Sequence, residues 1–478
     1  MQNSSNLKTT PSNFPDEGEI HKTALRLLSL TVFLLMAAPL LNLKVGPVPI
    51  YAIDLPAFLT WLYALRTHST RRYPLQGLVI FILIAMLLSE FITGLRLGTL
   101  LQPVYLILRT LSAISLFYST SRIIQSKSDL ETIIKASLLG AIITAALMIG
   151  SSLPGTQKEI AFYIFSHPFL VPASDSIVKT YGFSESALRG QSLVGVSIMS
   201  GAFLNTIWPL LFLLRSNPKL GGVWKILLIL AMIIMPIGIV MSYSRGAIIG
   251  LILIVVVAVL LSSRQVSQPI ILGVGFALLV FSWFGWDSQY FKFDWLQLKT
   301  QRALENPYGN VTVTERLFAY SEPFQHVIEN PGFFFLGQGF AYRKMSGNTL
   351  TAGVNAANHA VFAAAYYGYG MLAAFAYIFL LIGALRITWR YAWGPKEEFL
   401  TSFARAMLAG LMGFTSWFML GHAGVDEPRG AMLLFFVFGL VAAQTNLVES
   451  VESSVPEDQN IVSREKFGKR TAFQKYRQ

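Results

Sequence analysis

No cysteine occurs anywhere in this chain, and only 13% of its residues are charged. The first absence excludes disulfides, thiolate zinc sites and a cysteine nucleophile. The second excludes an ordinary soluble domain, in which about 25% of residues carry charge. Two motifs are missing as well. There is no G-x-x-x-x-G-K-[ST] and no glycine-rich turn between a strand and a helix, so nothing points to ATP or a dinucleotide. The N-terminus does not read as a cleavable signal either, because Asp16, Glu17 and Glu19 precede the first apolar run.

Apolar surface stands where charge is missing. Hydrophobic residues make up 54% of the chain, and its mean hydropathy is +0.54. A membrane-crossing helix needs about 20 mostly apolar residues. Twelve stretches qualify: 24–43, 48–65, 75–94, 100–121, 132–153, 193–214, 223–242, 246–262, 269–286, 359–385, 402–420 and 428–446. The expected fold is therefore all-α, a polytopic integral membrane protein of about 12 transmembrane helices.

The net charge of +12 suggests nucleic acid only until the basic residues are located. They lie in short loops between spans and form no basic face, so no nucleic-acid partner is expected. With a cytoplasmic N-terminus, the inner loops carry thirteen: Arg66, Arg71, Arg72, Arg122, Lys127, Lys135, Arg215, Lys219, Lys225, Arg264, Arg386, Arg390 and Lys396. The short outer loops carry four: Lys44, Arg96, Arg245 and Arg429. The positive-inside rule then keeps both termini in the cytoplasm. This divides the chain into a tail over 1–23, spans one to nine over 24–286, an external loop over 287–358, spans ten to twelve over 359–446, and a tail over 447–478.

Two loops stand out, and this orientation puts both outside. One covers about 154–192 and contains ALRGQS. The other, 287–358, is too long for a passive connector. Within it, 314–329 places Leu317, Tyr320, Phe324, Val327 and Ile328 at helical spacing behind Thr314. Pro323 divides or kinks that helix, and FDWLQLKTQRALE forms a second amphipathic candidate.

Chemistry-bearing residues cluster at the outer face. His359 ends a polar run and opens span ten, and an unperturbed imidazole is a general base near neutral pH. Arg245, in MSYSRGAIIG, occupies a turn only a few residues long, with Gly246 allowing a tight reversal or a close helix contact. Arg189 precedes span six. An arginine fork suits bidentate phosphate binding. Each has a plainer alternative, as a helix-end cap or a lipid-headgroup contact. Arg109, within span four, needs a partner, and Asp54 or Glu90 could serve. His422, Asp426 and Glu427 make a poor metal set by spacing.

In order along the chain, Arg189-Gly190, Ser244-Arg245-Gly246-Ala247, Glu315-Arg316 leading to Asn330-Pro331 and GFFFLGQGF, and Asn358-His359 resemble the O-antigen ligase and polymerase superfamily of bacterial membrane glycosyltransferases. Gly370 keeps that family's spacing beyond the histidine, whereas Ala360 and Ala373 depart from its pattern. The resemblance implies transfer of a glycan from a polyprenyl (undecaprenyl) diphosphate carrier to an acceptor hydroxyl, without metal, nucleotide or other cofactor. It implies His359 as base, Arg189 and Arg245 as diphosphate ligands, and Arg316 and Arg343 as further substrate contacts. The partners would be the lipid-linked donor, a lipid-anchored glycan acceptor and membrane lipids. The setting would be the bacterial inner membrane, with the site facing the periplasm and the product a surface polysaccharide such as lipopolysaccharide. A repeat-unit polymerase, a protein-glycosylating relative, a transporter and a non-catalytic assembly component remain alternatives.

Overall fold

The computed structural model describes residues 17–39, 41–45, 48–67, 73–152, 192–194, 197–242, 244–261, 270–271, 273–275, 328, 331–340, 361–393, 398–420 and 428–453. Among these it is mostly helical. The long helices are α1 (Glu17–Ala37), α2 (Asp54–Arg66), α3 (Gln76–Leu97), α4 (Leu101–Ile123), α5 (Lys127–Ser152) and α6 (Ser197–Leu211), the last followed by a 3₁₀ turn at Phe212–Ser216. Then come α7 (Gly222–Met241), α8 (Arg245–Leu261), α9 (Val361–Ala392), α10 (Glu398–Leu420) and α11 (Pro428–Ser453). Among the described residues, six stretches are long and apolar enough to cross a membrane: Gly18–Ala37, Gln76–Leu97, Lys127–Ser152, Gly222–Met241, Val361–Ala392 and Arg429–Val448.

Local chemistry sets the ends. At α5, Asp129 N–H donates to Ser126 Oγ (3.2 Å) and Ser126 N–H donates back to Asp129 Oδ2 (2.9 Å). This reciprocal capping box satisfies two otherwise orphaned donors. It also starts the helix at Lys127, five residues before the apolar run begins.

One expected span is not a single helix. The stretch 48–65 splits into strand β2 (Val48–Tyr51), paired antiparallel with β1 (Asn42–Val45), and the 13-residue α2. At about 1.5 Å per residue α2 is about 20 Å long, short of a hydrocarbon core of about 30 Å. The cause is Asp54, whose Oδ2 accepts the Tyr51 N–H at 3.0 Å and turns the strand into the helix. Among the described residues, this hairpin departs from the all-α expectation.

Burial separates centre from periphery. The Arg429–Val448 stretch of α11 is 89% buried, whereas Gly222–Met241 of α7 is 33% buried. Apolar side chains left outward fall in helical stripes, such as Leu372, Phe375, Phe379 and Ile382 on α9. A water-exposed surface of that kind would drive aggregation, whereas lipid solvates it.

Polar contacts gather helix ends in two sets. One joins His21 to Asp129 (3.3 Å), Arg122 to the Thr67 carbonyl (2.8 Å), Asn217 to Glu131 (2.6 Å) and Asn446 to the Ser121 carbonyl (3.0 Å). The other joins Tyr51, Asp54, Arg109, Arg429 and Val194.

Candidate functional site

The Ser244–Ala247 turn opens α8. Ser244 Oγ accepts the Ala247 N–H at 3.4 Å, and the Ser244 N–H donates to Ser242 Oγ at 3.1 Å. Ser244 is thus the N-cap and Arg245 the first helical residue. Buried Asn205 on α6 donates to the Ala247 carbonyl (2.7 Å), and Ser416 on α10 donates to the Gly246 carbonyl (2.9 Å). Two neighbouring helices therefore fix the first turn of α8. A helix N-terminus of this kind carries partial positive charge, which favours anions.

Gly246 does not play the part its sequence context suggested. Its φ is not in the left-handed region, and a Cβ there would meet only Ser244 Oγ, at 3.9 Å. The close helix contact lies elsewhere, where a Cβ on Gly201 would come 2.6 Å from that of Ala247. Gly246 is buried, and a Cβ there would make only an ordinary contact with Ser244 Oγ.

The turn leading into α6 meets the same region. Ser192 and Ser200 share a hydroxyl hydrogen bond of 2.8 Å, and Arg429 Nη1 donates to the Val194 carbonyl. Arg189 stands three residues before Ser192 in the chain. Its own position lies outside the described residues, as do those of Arg316, Arg343, His359, His422, Asp426 and Glu427, and most of the 287–358 loop. Of Arg245 the backbone is described.

The segment 331–340, which contains GFFFLGQGF, docks on a break in α9. Gly370 has φ 86° and ψ 175° inside that helix, a region that only glycine enters freely. Around the break, Met371 N–H donates to the Phe334 carbonyl (2.9 Å), Gln338 N–H to Tyr367 (2.8 Å) and Gly339 N–H to Gly368 (2.9 Å). Helix α3 fastens both partners. Ser89 Oγ donates to the Gly368 carbonyl, Thr93 Oγ1 donates to the Gln338 carbonyl, and Glu90 Oε1 accepts the Phe340 N–H, each at 2.7 Å. The Phe340 ring meets Tyr369 edge-on, with centroids 4.9 Å apart. Gly339, at φ 75°, has no room for a side chain because Thr93 fills the space. His359 stands two residues before Val361, the first residue of α9.

Arg109 lies eight residues into α4, about 12 Å from its start. Of the two partners open to it, Asp54 is the one bound, at 2.8 Å, while Tyr51 lies across the guanidinium face at 3.7 Å. Glu90 serves the Phe340 amide instead. Ser89 and Thr93 were not singled out from the sequence, and Glu90 was only as a possible partner of Arg109, although one signal was present: three polar side chains on one turn of an apolar span.

No protein-family model and no curated protein matches this chain.

Proposed function

We propose that this protein is a membrane glycosyltransferase that moves a glycan from a polyprenyl diphosphate carrier to an acceptor hydroxyl at the outer face of the bilayer, in the manner of an O-antigen ligase. The observation that carries the reading is the first turn of α8. Arg245 opens a helix whose cap and first carbonyls are fixed by Ser244, Asn205 and Ser416. An arginine on a fixed helix N-terminus suits a diphosphate, whose charge both the guanidinium and the leading N–H groups offset.

In this reading the chain crosses the membrane about twelve times, the second crossing made by β2 and α2 together, with the loops 154–192 and 287–358 outside. The two sets of polar contacts fit that arrangement. Residues expected inside touch one another, as at His21–Asp129 and Arg122–Thr67, and those expected outside do likewise, as at Arg429–Val194.

The reaction follows from the groups assigned. His359, unprotonated, takes the proton of the acceptor hydroxyl as its oxygen attacks the anomeric carbon. The new carbon–oxygen bond forms as the bond to the diphosphate oxygen breaks, and attack from the opposite side inverts that centre. Arg189 and Arg245 stabilise the negative charge developing on the departing polyprenyl diphosphate. Arg316 and Arg343 contact the substrate from the large loop. His359 then yields its proton to water.

A strain lacking the gene supplies the test. The wild-type gene is expected to restore surface polysaccharide, whereas His359→Ala leaves glycan on the lipid carrier. Long chains held there indicate a ligase, and single repeat units a polymerase. Full restoration by His359→Ala contradicts the reading and favours transport, for which the broken α9 is also suited.

A further inference from the structure

We infer that Glu90, supported by Ser89 and Thr93, is a positioning residue that couples helix α3 to the glycine break of α9 and thereby sets the placement of His359. The catalytic half of this inference rests on the proposed function; the clamp itself does not.

Glu90 is fully buried, and a carboxyl within a membrane helix is costly to hold there. Apolar packing alone could hold the segment 331–340 more cheaply. A hydrogen-bonded polar contact in a low-dielectric interior adds directional specificity, because misalignment leaves costly groups unsatisfied. The bond from Phe340 fixes that segment to α3 in one register, and Thr93 repeats the constraint two residues earlier.

The consequence passes along the chain. The fixed segment forms backbone hydrogen bonds to Tyr367, Gly368 and Met371, on both sides of Gly370. Gly370 departs from helical geometry, so the stretch Val361–Tyr369 takes its direction from those bonds and not from the rest of α9. His359 leads into that stretch, and Arg343 follows Phe340 by three residues. Glu90 thus acts on the chain three residues before Arg343 and, through the break, on the stretch that begins two residues after His359, without touching substrate. Loss of its bond disturbs the alignment of the base more than the binding of the donor.

The absence of cysteine makes a direct test possible. Gln338 is 7% exposed, and its clamp contacts are made by its backbone, so Gln338→Cys creates a single protected thiol. A membrane-impermeant maleimide should label it slowly in the otherwise wild-type protein. Glu90→Ala should speed labelling by about tenfold or more, because a hydrogen bond to a carboxyl group is lost. Glu90→Gln, which still accepts the Phe340 N–H, should restore protection. Thr93→Val, a milder change that keeps the side-chain shape, should move labelling the same way by less.

In transfer assays without the added thiol, Glu90→Ala should cut kcat by up to about 100-fold, the penalty of a misplaced catalytic group. KM for the lipid-linked donor should stay near the wild-type value, and Glu90→Gln should recover most of kcat. Unchanged protection in both Glu90→Ala and Thr93→Val overturns the clamp. Faster labelling with undiminished kcat, or a rise in KM alone, overturns the positioning role. A wild-type protein that transfers no glycan overturns the proposed function and the catalytic half of the inference, while the labelling still decides the clamp.

Discussion

Replacing Gly370 by alanine should destabilise the protein out of proportion to the single methyl group added. Two costs are built into the site. The backbone at φ 86° and ψ 175° lies where other residues pay about 1–3 kcal/mol. The added Cβ would also overlap the Phe335 carbonyl. Relieving that overlap means moving the segment that accepts the Met371 N–H through Phe334, at a further cost of about 1–3 kcal/mol. Together these give about 2–6 kcal/mol. Thermal unfolding of the purified protein in detergent, followed by tryptophan fluorescence, reads the loss as a lowered Tm. Gly77→Ala is the control: it lies in the first turn of α3, and a Cβ there meets nothing within 4 Å. Gly77→Ala should match or slightly exceed the wild-type Tm. If Gly370→Ala unfolds at the wild-type temperature, the break is not imposed by glycine and the docking account is wrong.

Asp54→Ala should destabilise by about 3–5 kcal/mol, since it leaves Arg109, 6% exposed, without its carboxylate; Asp54→Asn combined with Arg109→Met should recover most of that in the same unfolding assay. Arg245→Lys should lower turnover at least about tenfold, because an ammonium cannot reproduce a bidentate fork. Normal turnover in that variant would remove diphosphate binding from the role of Arg245.

The sequence made the long apolar helices legible and blurred their edges. Hydropathy starts the fifth span at 132, whereas the Ser126–Asp129 box starts the helix at Lys127. Polar capping residues are invisible to an apolar count. The β1–β2 hairpin was missed because its residues are apolar enough to read as the start of a span. The Tyr51–Asp54 bond marks the change from strand to helix there. Gly370 was noticed for its spacing from His359 and as one of the glycines interrupting an apolar run, but nothing local showed that the helix breaks at this one. Its partners lie some thirty residues upstream and on α3, and the Glu90–Phe340 bond joins positions 250 residues apart. Contacts at that separation leave no local pattern. Arg109 shows the intermediate case: burial demanded a partner, composition offered two, and only the fold selects Asp54.

The central claim concerns a base at the mouth of α9 that deprotonates an acceptor hydroxyl as it attacks a lipid-linked donor. The most direct test reconstitutes the purified protein in vesicles with a polyprenyl diphosphate-linked glycan and a lipid-anchored acceptor sugar. The measurement follows free polyprenyl diphosphate and glycosylated acceptor together. The account predicts equal yields of the two from the wild-type protein, and neither from His359→Ala, which should still bind the donor. Wild-type turnover by His359→Ala would contradict it.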